Sequence, residues 1–325
     1  MDKKLGQATR DAYGKALVEI GKSNPDVVVL DADLSKSTKT EAFGKEFPSR
    51  FFNCGISEAN MVGIAAGLAS QGKIPFLSSF ACFLVNKGFE QLRMGVAFPE
   101  LNVKVVTSHG GISVGEDGAS QQSIEDIALM CSLPFFKVMV PSDEYCARAL
   151  VMESAKIKEP VYIRTGRPKA PVVHRPETVF KIGKGVHLRN GTDVAIIANG
   201  LLVWEAMAAA EQLASQGIQA SVVDLHTVKP LDEPLLISLA RKTGAVVTAE
   251  EHQIWGGLGG AVSRFLATHE PVPVACVAIE DTYAESGKPD ELLKKYGLTA
   301  SHIVKAAQEV LKRKTVSVKE HKGLS

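Results

Sequence analysis

Residues 108–122 read Ser-His-Gly-Gly-Ile-Ser-Val-Gly-Glu-Asp-Gly-Ala-Ser-Gln-Gln, with four glycines, one histidine and two acids in fifteen positions. The segment follows an apolar run, Leu101 to Thr107, that reads as a strand. A structural loop needs some glycine, but this density beside His109 and Asp117 points to ligand binding. Loops at the carboxyl ends of parallel strands are where such sheets hold ligands. A second segment, Gly55-Ile56-Ser57-Glu58-Ala59-Asn60, lies between the short run Phe51-Phe52-Asn53 and a helix of small residues. Taken alone, its serine and acid cap a helix N-terminus. Phe80 and Phe83, three apart, taken alone pack a core. Arg10 and Arg164 carry guanidinium forks that suit phosphate oxygens. Against that stand a solvated helix position for Arg10 and a strand-end ion pair for Arg164. His252 with the Gly256 to Gly260 run lacks the dinucleotide fingerprint spacing, so it reads as structural. The five cysteines are odd in number and show no CxxC, which argues against a disulfide framework and a zinc site. No metal ligand is assigned in this chain, and a reducing cytoplasm is the expected setting.

The elements that must position these residues alternate between helix and short apolar run. Ala8 to Ile20 has helical spacing and is broken at Asn24-Pro25-Asp26, after which Val27 to Asp31 reads as a buried strand because its apolar residues do not alternate. Met61 to Ser70, Phe83 to Phe98 and Ser123 to Met130 read as helices, and Phe135 to Val140 and Pro160 to Arg164 as strands. The pattern restarts with a strand at Val194 to Ala198, a helix at Leu202 to Gln216 and a strand at Ala220 to Asp224. It continues through Leu235 to Arg241, Ala245 to Ala249, Leu258 to Thr268 and Val272 to Ile279. Alternation of this kind predicts parallel, doubly wound sheets, hence two α/β domains. The expected boundaries are 1–168 for the first domain, 169–180 for a Pro- and Lys/Arg-rich linker, 181–313 for the second domain, and 314–325 for a polar, frayed tail.

With 325 residues, 45% of them hydrophobic and 22% charged, the composition is that of a globular protein and excludes disorder, collagen and a coiled coil as the main state. A formal charge of +1 provides no general field for nucleic acid or a membrane, though a local basic pocket can still hold a phosphate. The N-terminal stretch lacks the apolar core of a signal peptide, and no run approaches the ~18 apolar residues of a membrane span.

Together these segments resemble the C-terminal half of transketolase, its pyrimidine-binding domain followed by its C-terminal domain. The matching runs are Ala8-Thr9-Arg10, Asp31 to Ser37, Gly55 to Glu58, Val114 to Gly118 and Ile124 to Ala128. Later ones are Val223-Asp224 with Lys229 to Asp232, and Glu250-Glu251-His252 with Gly256 to Gly259. The resemblance implies a thiamine diphosphate enzyme of the pentose phosphate pathway that moves a two-carbon ketol unit from a ketose phosphate to an aldose phosphate. It gives Glu58 the catalytic role of hydrogen-bonding N1′ of the aminopyrimidine, in apolar surroundings. It gives Phe80 and Phe83 the faces of that ring, with Asn86 where the family often has a third aromatic, and puts Asp33 beside the cofactor or in structure. On the substrate side it implies His109 at the sugar's polar end, also catalytic, and Asp117 at its C2 hydroxyl. It also implies Arg10, Ser37 and Arg164 at the phosphate, and Gln121 where the family has a histidine. Cys82, between two phenylalanines, reads as a small apolar filler with no catalytic role.

The family holds the cofactor's diphosphate through Mg²⁺ with a Gly-Asp-Gly…Asn motif, and no Gly-Asp-Gly occurs in this chain. The resemblance is therefore to one subunit of a split transketolase. The diphosphate and Mg²⁺ site belongs on an N-terminal partner subunit, the assembly is a dimer of heterodimers (a heterotetramer), and the chain alone is inert. Two rivals share the fold, the β subunit of a 2-oxoacid dehydrogenase and a non-catalytic subunit. The first has no need of Arg10, Ser37 and Arg164 as a set, nor of the Gly-Glu-Asp-Gly loop. The second is disfavoured by the presence of Glu58, His109 and Asp117.

Overall fold

Every residue of the strand Val27–Asp31 is buried, as its unbroken apolar run demands of a strand covered on both faces. In the computed structural model, which describes residues 3–322, this strand lies near one side of a seven-stranded sheet. In spatial order the strands are Thr227–Lys229, Lys137–Met139, Val161–Arg164, Lys104–Thr107, Ile74–Ser78, Val27–Asp31 and Phe51–Asn53. All pair in parallel except Thr227–Lys229, which runs antiparallel to Lys137–Met139. Parallel pairing sends the carboxyl ends of the other six strands to one edge. The turns that carry Asp33 and Ser37, Glu58, Phe80, His109 and Arg167 leave from that edge. Thr9–Ser23, led in by the strand Leu5–Ala8, brings Arg10 there in its first turn.

The second sheet runs Val274–Ile279, Val246–Gln253, Val194–Ala198, Ala220–Asp224 and Val186–Arg189, parallel except for the last pair. Helices Leu202–Ala214, Glu233–Thr243, Gly257–His269 and Ala300–Lys322 are threaded between and after its strands. The chain thus forms two α/β domains with mostly parallel sheets. They share an apolar core: one cluster takes in Leu77, Val105 and Val138 from the first sheet and Ile197, Val223 and Leu258 from the second domain. Among the described residues no helix is long and apolar enough to cross a membrane.

Several elements differ from the sequence reading. The strand Ile74–Ser78, in the middle of the first sheet, is absent from it, as is the helix Glu144–Ser154, capped by Asp143 accepting from Cys146 N at 2.9 Å. The segment read as a linker is not loose: Lys169–Pro171 pairs antiparallel with Leu5–Ala8, and His174 and Phe180 are buried. His174 Nε2 lies 2.8 Å from Asp224 Oδ2, so a buried polar pair anchors the crossing chain to the second sheet. The expected frayed tail also differs, since the helix begun at Ala300 runs on to Lys322, with no glycine or proline between to stop it. Residues 323–325 of that tail lie outside the described residues.

Candidate active site at the carboxyl edge of the first sheet

Glu58 opens the helix Glu58–Ser70 and is buried, at 3% exposure. Its Oε2 lies 3.6 Å from Nζ of Lys87, a half-exposed residue one helix away. The apolar setting expected for Glu58 is therefore modified by one ammonium. The same Nζ sits 4.7 Å over the ring of Phe83. Phe83 stacks on Phe80 (centroids 5.6 Å apart, planes at 14°), and Phe80 stacks on the His109 imidazole (3.6 Å, 17°). The result is a column of three flat rings ending at a cation and a carboxyl. Phe80 is fixed by the turn itself, since Ala81 N donates to Ser108 O and Ser108 N to Ser79 O. Asn86 is turned away to Glu125, its Nδ2 donating to Oε1 at 2.8 Å.

His109 is buried and holds a left-handed backbone, φ +59°. Its Nδ1 lies 2.7 Å from Ser108 Oγ. Burial lowers its pKa from 6.5 to about 3, and the Arg10 and Arg167 charges push the same way. It is therefore a neutral hydrogen-bonding group at physiological pH. Arg10 Nη1 donates to the Ser37 carbonyl at 3.0 Å, so these two predicted residues meet. Arg10 Nε is buried with no hydrogen-bond partner among the described residues. Burial lowers the Arg10 pKa, Arg167 adds to this, and Asp11 and Asp117 oppose it. Asp117 is exposed, and Gln121 accepts from Ser120 Oγ at 2.5 Å on the same loop. Asp33, exposed with φ +63°, accepts from Asn53 Nδ2 at 2.9 Å. Asn53 Oδ1 in turn accepts from Gly55 N, which ties Asp33 to the turn that delivers Glu58. The buried Asp31 holds the Ser37 loop in shape by accepting from Leu34 N, Thr38 Oγ1 and Thr40 Oγ1.

Arg164 is more deeply buried than Arg10 and Ser37, the other residues assigned to the phosphate. It ends a strand buried on both faces and is 4% exposed. Its guanidinium is committed to an ion pair with Asp126 at 3.5 Å and to the carbonyls of Ser123 (3.0 Å) and Glu251 (2.8 Å). Burial opposes its charge, but Asp126 and Glu251 outweigh burial and raise its pKa. The strand-end ion pair, the alternative reading of this residue, is what the structure builds. Arg167, three residues on, is partly exposed and close enough to shift both Arg10 and His109. Its Nη1 holds the Val114 carbonyl (2.6 Å) and Glu116 Oε2 (2.8 Å). Sequence reasoning misses it, although a signal is present: a side chain beyond a strand's carboxyl end lies in the ligand-binding loops, and one inside the strand does not.

A flat face next to a buried carboxyl suits a ring bearing a nitrogen acceptor, and the orphaned Arg10 Nε beside Arg167 suits an anion. Comparison with known proteins identifies the family. Residues 6–172 match the transketolase pyrimidine-binding domain and residues 183–303 the transketolase C-terminal domain. Over 307 residues the chain is 46% identical to a Methanocaldococcus jannaschii protein named "Putative transketolase C-terminal section", covering 94% of this chain and 96% of that one. It is 43% identical to a 6-deoxy-6-sulfo-D-fructose transketolase subunit of Clostridium sp. strain MSTE9, covering 94% and 95%. Against rat transketolase it is 40% identical but spans only 48% of that protein's length. A solved structure of a split-gene transketolase, an inactive beta4 tetramer, is 50% identical with a TM-score of 0.86, covering 94% of this chain and 99% of that one. The chain belongs to the transketolase family, of which it carries the pyrimidine-binding and C-terminal domains.

Proposed function

We propose that this chain is the C-terminal subunit of a split, thiamine diphosphate-dependent transketolase, completed by an N-terminal subunit that carries the diphosphate and Mg²⁺ site. The observation that carries the reading is one edge that brings together the Glu58 carboxyl, the stacked Phe80 and Phe83 and Arg10 against Ser37, in a sequence without Gly-Asp-Gly. When bound, the cofactor supplies a carbon nucleophile that takes the two-carbon unit from a ketose and gives it to an aldose. Glu58 holds a proton at N1′ of the aminopyrimidine, and Phe80 and Phe83 fix the ring's plane and exclude water from one face. Neutral His109 donates to or accepts from the sugar without carrying charge, and Asp117 takes a sugar hydroxyl. Gln121 keeps a hydrogen bond but carries no proton. Arg10, with Ser37 beside it, and Arg167 grip the anionic end; Arg164 is left out of this set. Asp33 sets the turn before Glu58 next to the cofactor.

The assembly is read as a dimer of heterodimers working in the cytoplasm, a setting in keeping with five free cysteines, in the sugar-phosphate exchanges of the pentose phosphate pathway. The similar split-gene structure, an inactive tetramer of one chain type, supports inertness without a partner. The test is reconstitution with thiamine diphosphate, Mg²⁺ and a ketose phosphate/aldose phosphate pair, with and without the N-terminal subunit. A 6-sulfonated ketose serves as a second donor, because one relative is named for such a sugar. Turnover only in the mixture, with the phosphate preferred, is expected. Robust turnover by the isolated chain sinks the split-enzyme reading, and preference for the sulfonate replaces the substrate assignment.

A further inference from the structure

Glu251 belongs to the strand Val246–Gln253 of the second domain, yet its side chain ends in the first. Its Oε1 accepts from Ser113 N at 2.5 Å, within the 108–122 loop. Its own carbonyl accepts from Arg164 Nη2, and the same nitrogen donates to Ser123 O just past the loop's other end. Ser123 O also accepts from Gly111 N at 2.6 Å, which closes the loop's base. Two of the loop's four glycines are shaped to this contact. A Cβ on Gly110 would overlap Arg164 Nε, and one on Gly111, at φ +83°, would overlap Glu251 Cδ. Glu251 and Arg164 are buried, and Asp126 completes the group by pairing with Arg164. Burial raises the Glu251 pKa and the Arg164 charge pulls it back, so the pair is mutually dependent.

We infer that Glu251 and Arg164 are positioning residues: a clamp by which the second domain sets the conformation of the loop that carries His109, Asp117 and Gln121. The loop contains four glycines and would sample many conformations if untethered. The clamp joins its two ends and ties its middle to a rigid strand, which pre-organises the sugar-binding face. This assigns the second domain a part in substrate geometry, and it rests on the reading of the loop as the sugar-binding element.

The test compares Glu251→Ala with Glu251→Gln, which keeps an acceptor for Ser113 N. On the isolated chain, hydrogen–deuterium exchange of amides in 110–118 should rise at least about tenfold in Glu251→Ala, with the sheet strands unchanged and Glu251→Gln close to wild type. In the complex with its partner, Glu251→Ala should lower kcat/KM for sugar phosphate by about 10²-fold, mainly through KM, with cofactor affinity kept. Glu251→Gln should restore most of the loss. Should Glu251→Ala not fold, Glu251→Asp withdraws the carboxylate by one methylene and must raise exchange in the same amides. Unchanged exchange in the loop of a folded variant overturns the clamp. Absence of transketolase turnover in the wild-type complex overturns the functional reading, while the exchange result still decides the clamp.

Discussion

At the scale of single residues, the site separates groups that touch ligand from groups that hold the fold, and two substitutions test the separation. Glu58→Gln keeps size and a hydrogen-bonding group but loses the carboxyl proton. In the complex it should bind cofactor at somewhat reduced affinity while proton exchange at cofactor C2 slows by at least about 10²-fold. A helix cap alone predicts about 1 kcal/mol of lost stability with near-normal exchange. Measuring exchange and melting temperature on one sample distinguishes the two. For the arginines the expectation is a crossover. Arg167→Ala should weaken phosphorylated sugars by roughly 1.5–3 kcal/mol in KM and leave the melting point almost unmoved. Arg164→Ala leaves Asp126 buried without its cation, so it should cost about 3–5 kcal/mol of stability, measured by denaturant midpoint. Equal effects of Arg167→Ala on phosphorylated and unphosphorylated sugars would return that residue to structure. The sequence reading assigns Arg164 to phosphate and passes over Arg167. Which one faces solvent depends on where the strand Val161–Arg164 ends, and strand boundaries are poorly marked in a run of buried residues.

Among elements, the parallel strands are readable wherever β-branched residues run together, as in Val27–Asp31, Val194–Ala198 and Ala220–Asp224. Ile74–Ser78 is hidden by Pro75, which ordinarily argues against an interior strand because it cannot donate to the ladder. The structure accommodates it because pairing to Lys104–Thr107 begins only at Phe76. The polar segment after Arg167 lacks periodicity because its burial comes from isolated anchors such as His174 and Phe180 rather than from a face. Lys104 shows the cost of placing a cation in such an element. Its Nζ, fully buried, donates to the carbonyls of Ile157 and Glu159 at 2.9 and 2.7 Å, and burial lowers its pKa from 10.5 to about 7. Between those values the unfolded chain holds the proton that the native chain has released, so stability rises with pH through that window. Chemical unfolding from pH 6.5 to 10 should show this rise in the wild type and a flatter course in Lys104→Met. The same slope in both would assign it to other groups.

For the molecule as a whole, the two domains are not separable modules. The strand Thr227–Lys229 comes from the second half of the chain but closes one side of the first sheet against Lys137–Met139, with Val138 and Val228 in the shared core. A chain ending after residue 180 therefore bares both an unpaired strand and apolar surface, which invites association. It should elute as oligomers or aggregate by light scattering where the full chain is homogeneous, and a monodisperse, folded monomer would contradict this. The same crossing strand bears on how the protein is made. Domains generally fold in the order they leave the ribosome, but here the first sheet stays open on one side until Thr227 has been synthesised. The nascent chain must therefore carry a nearly finished domain with an exposed flank, and that interval is when it most needs protection by chaperones.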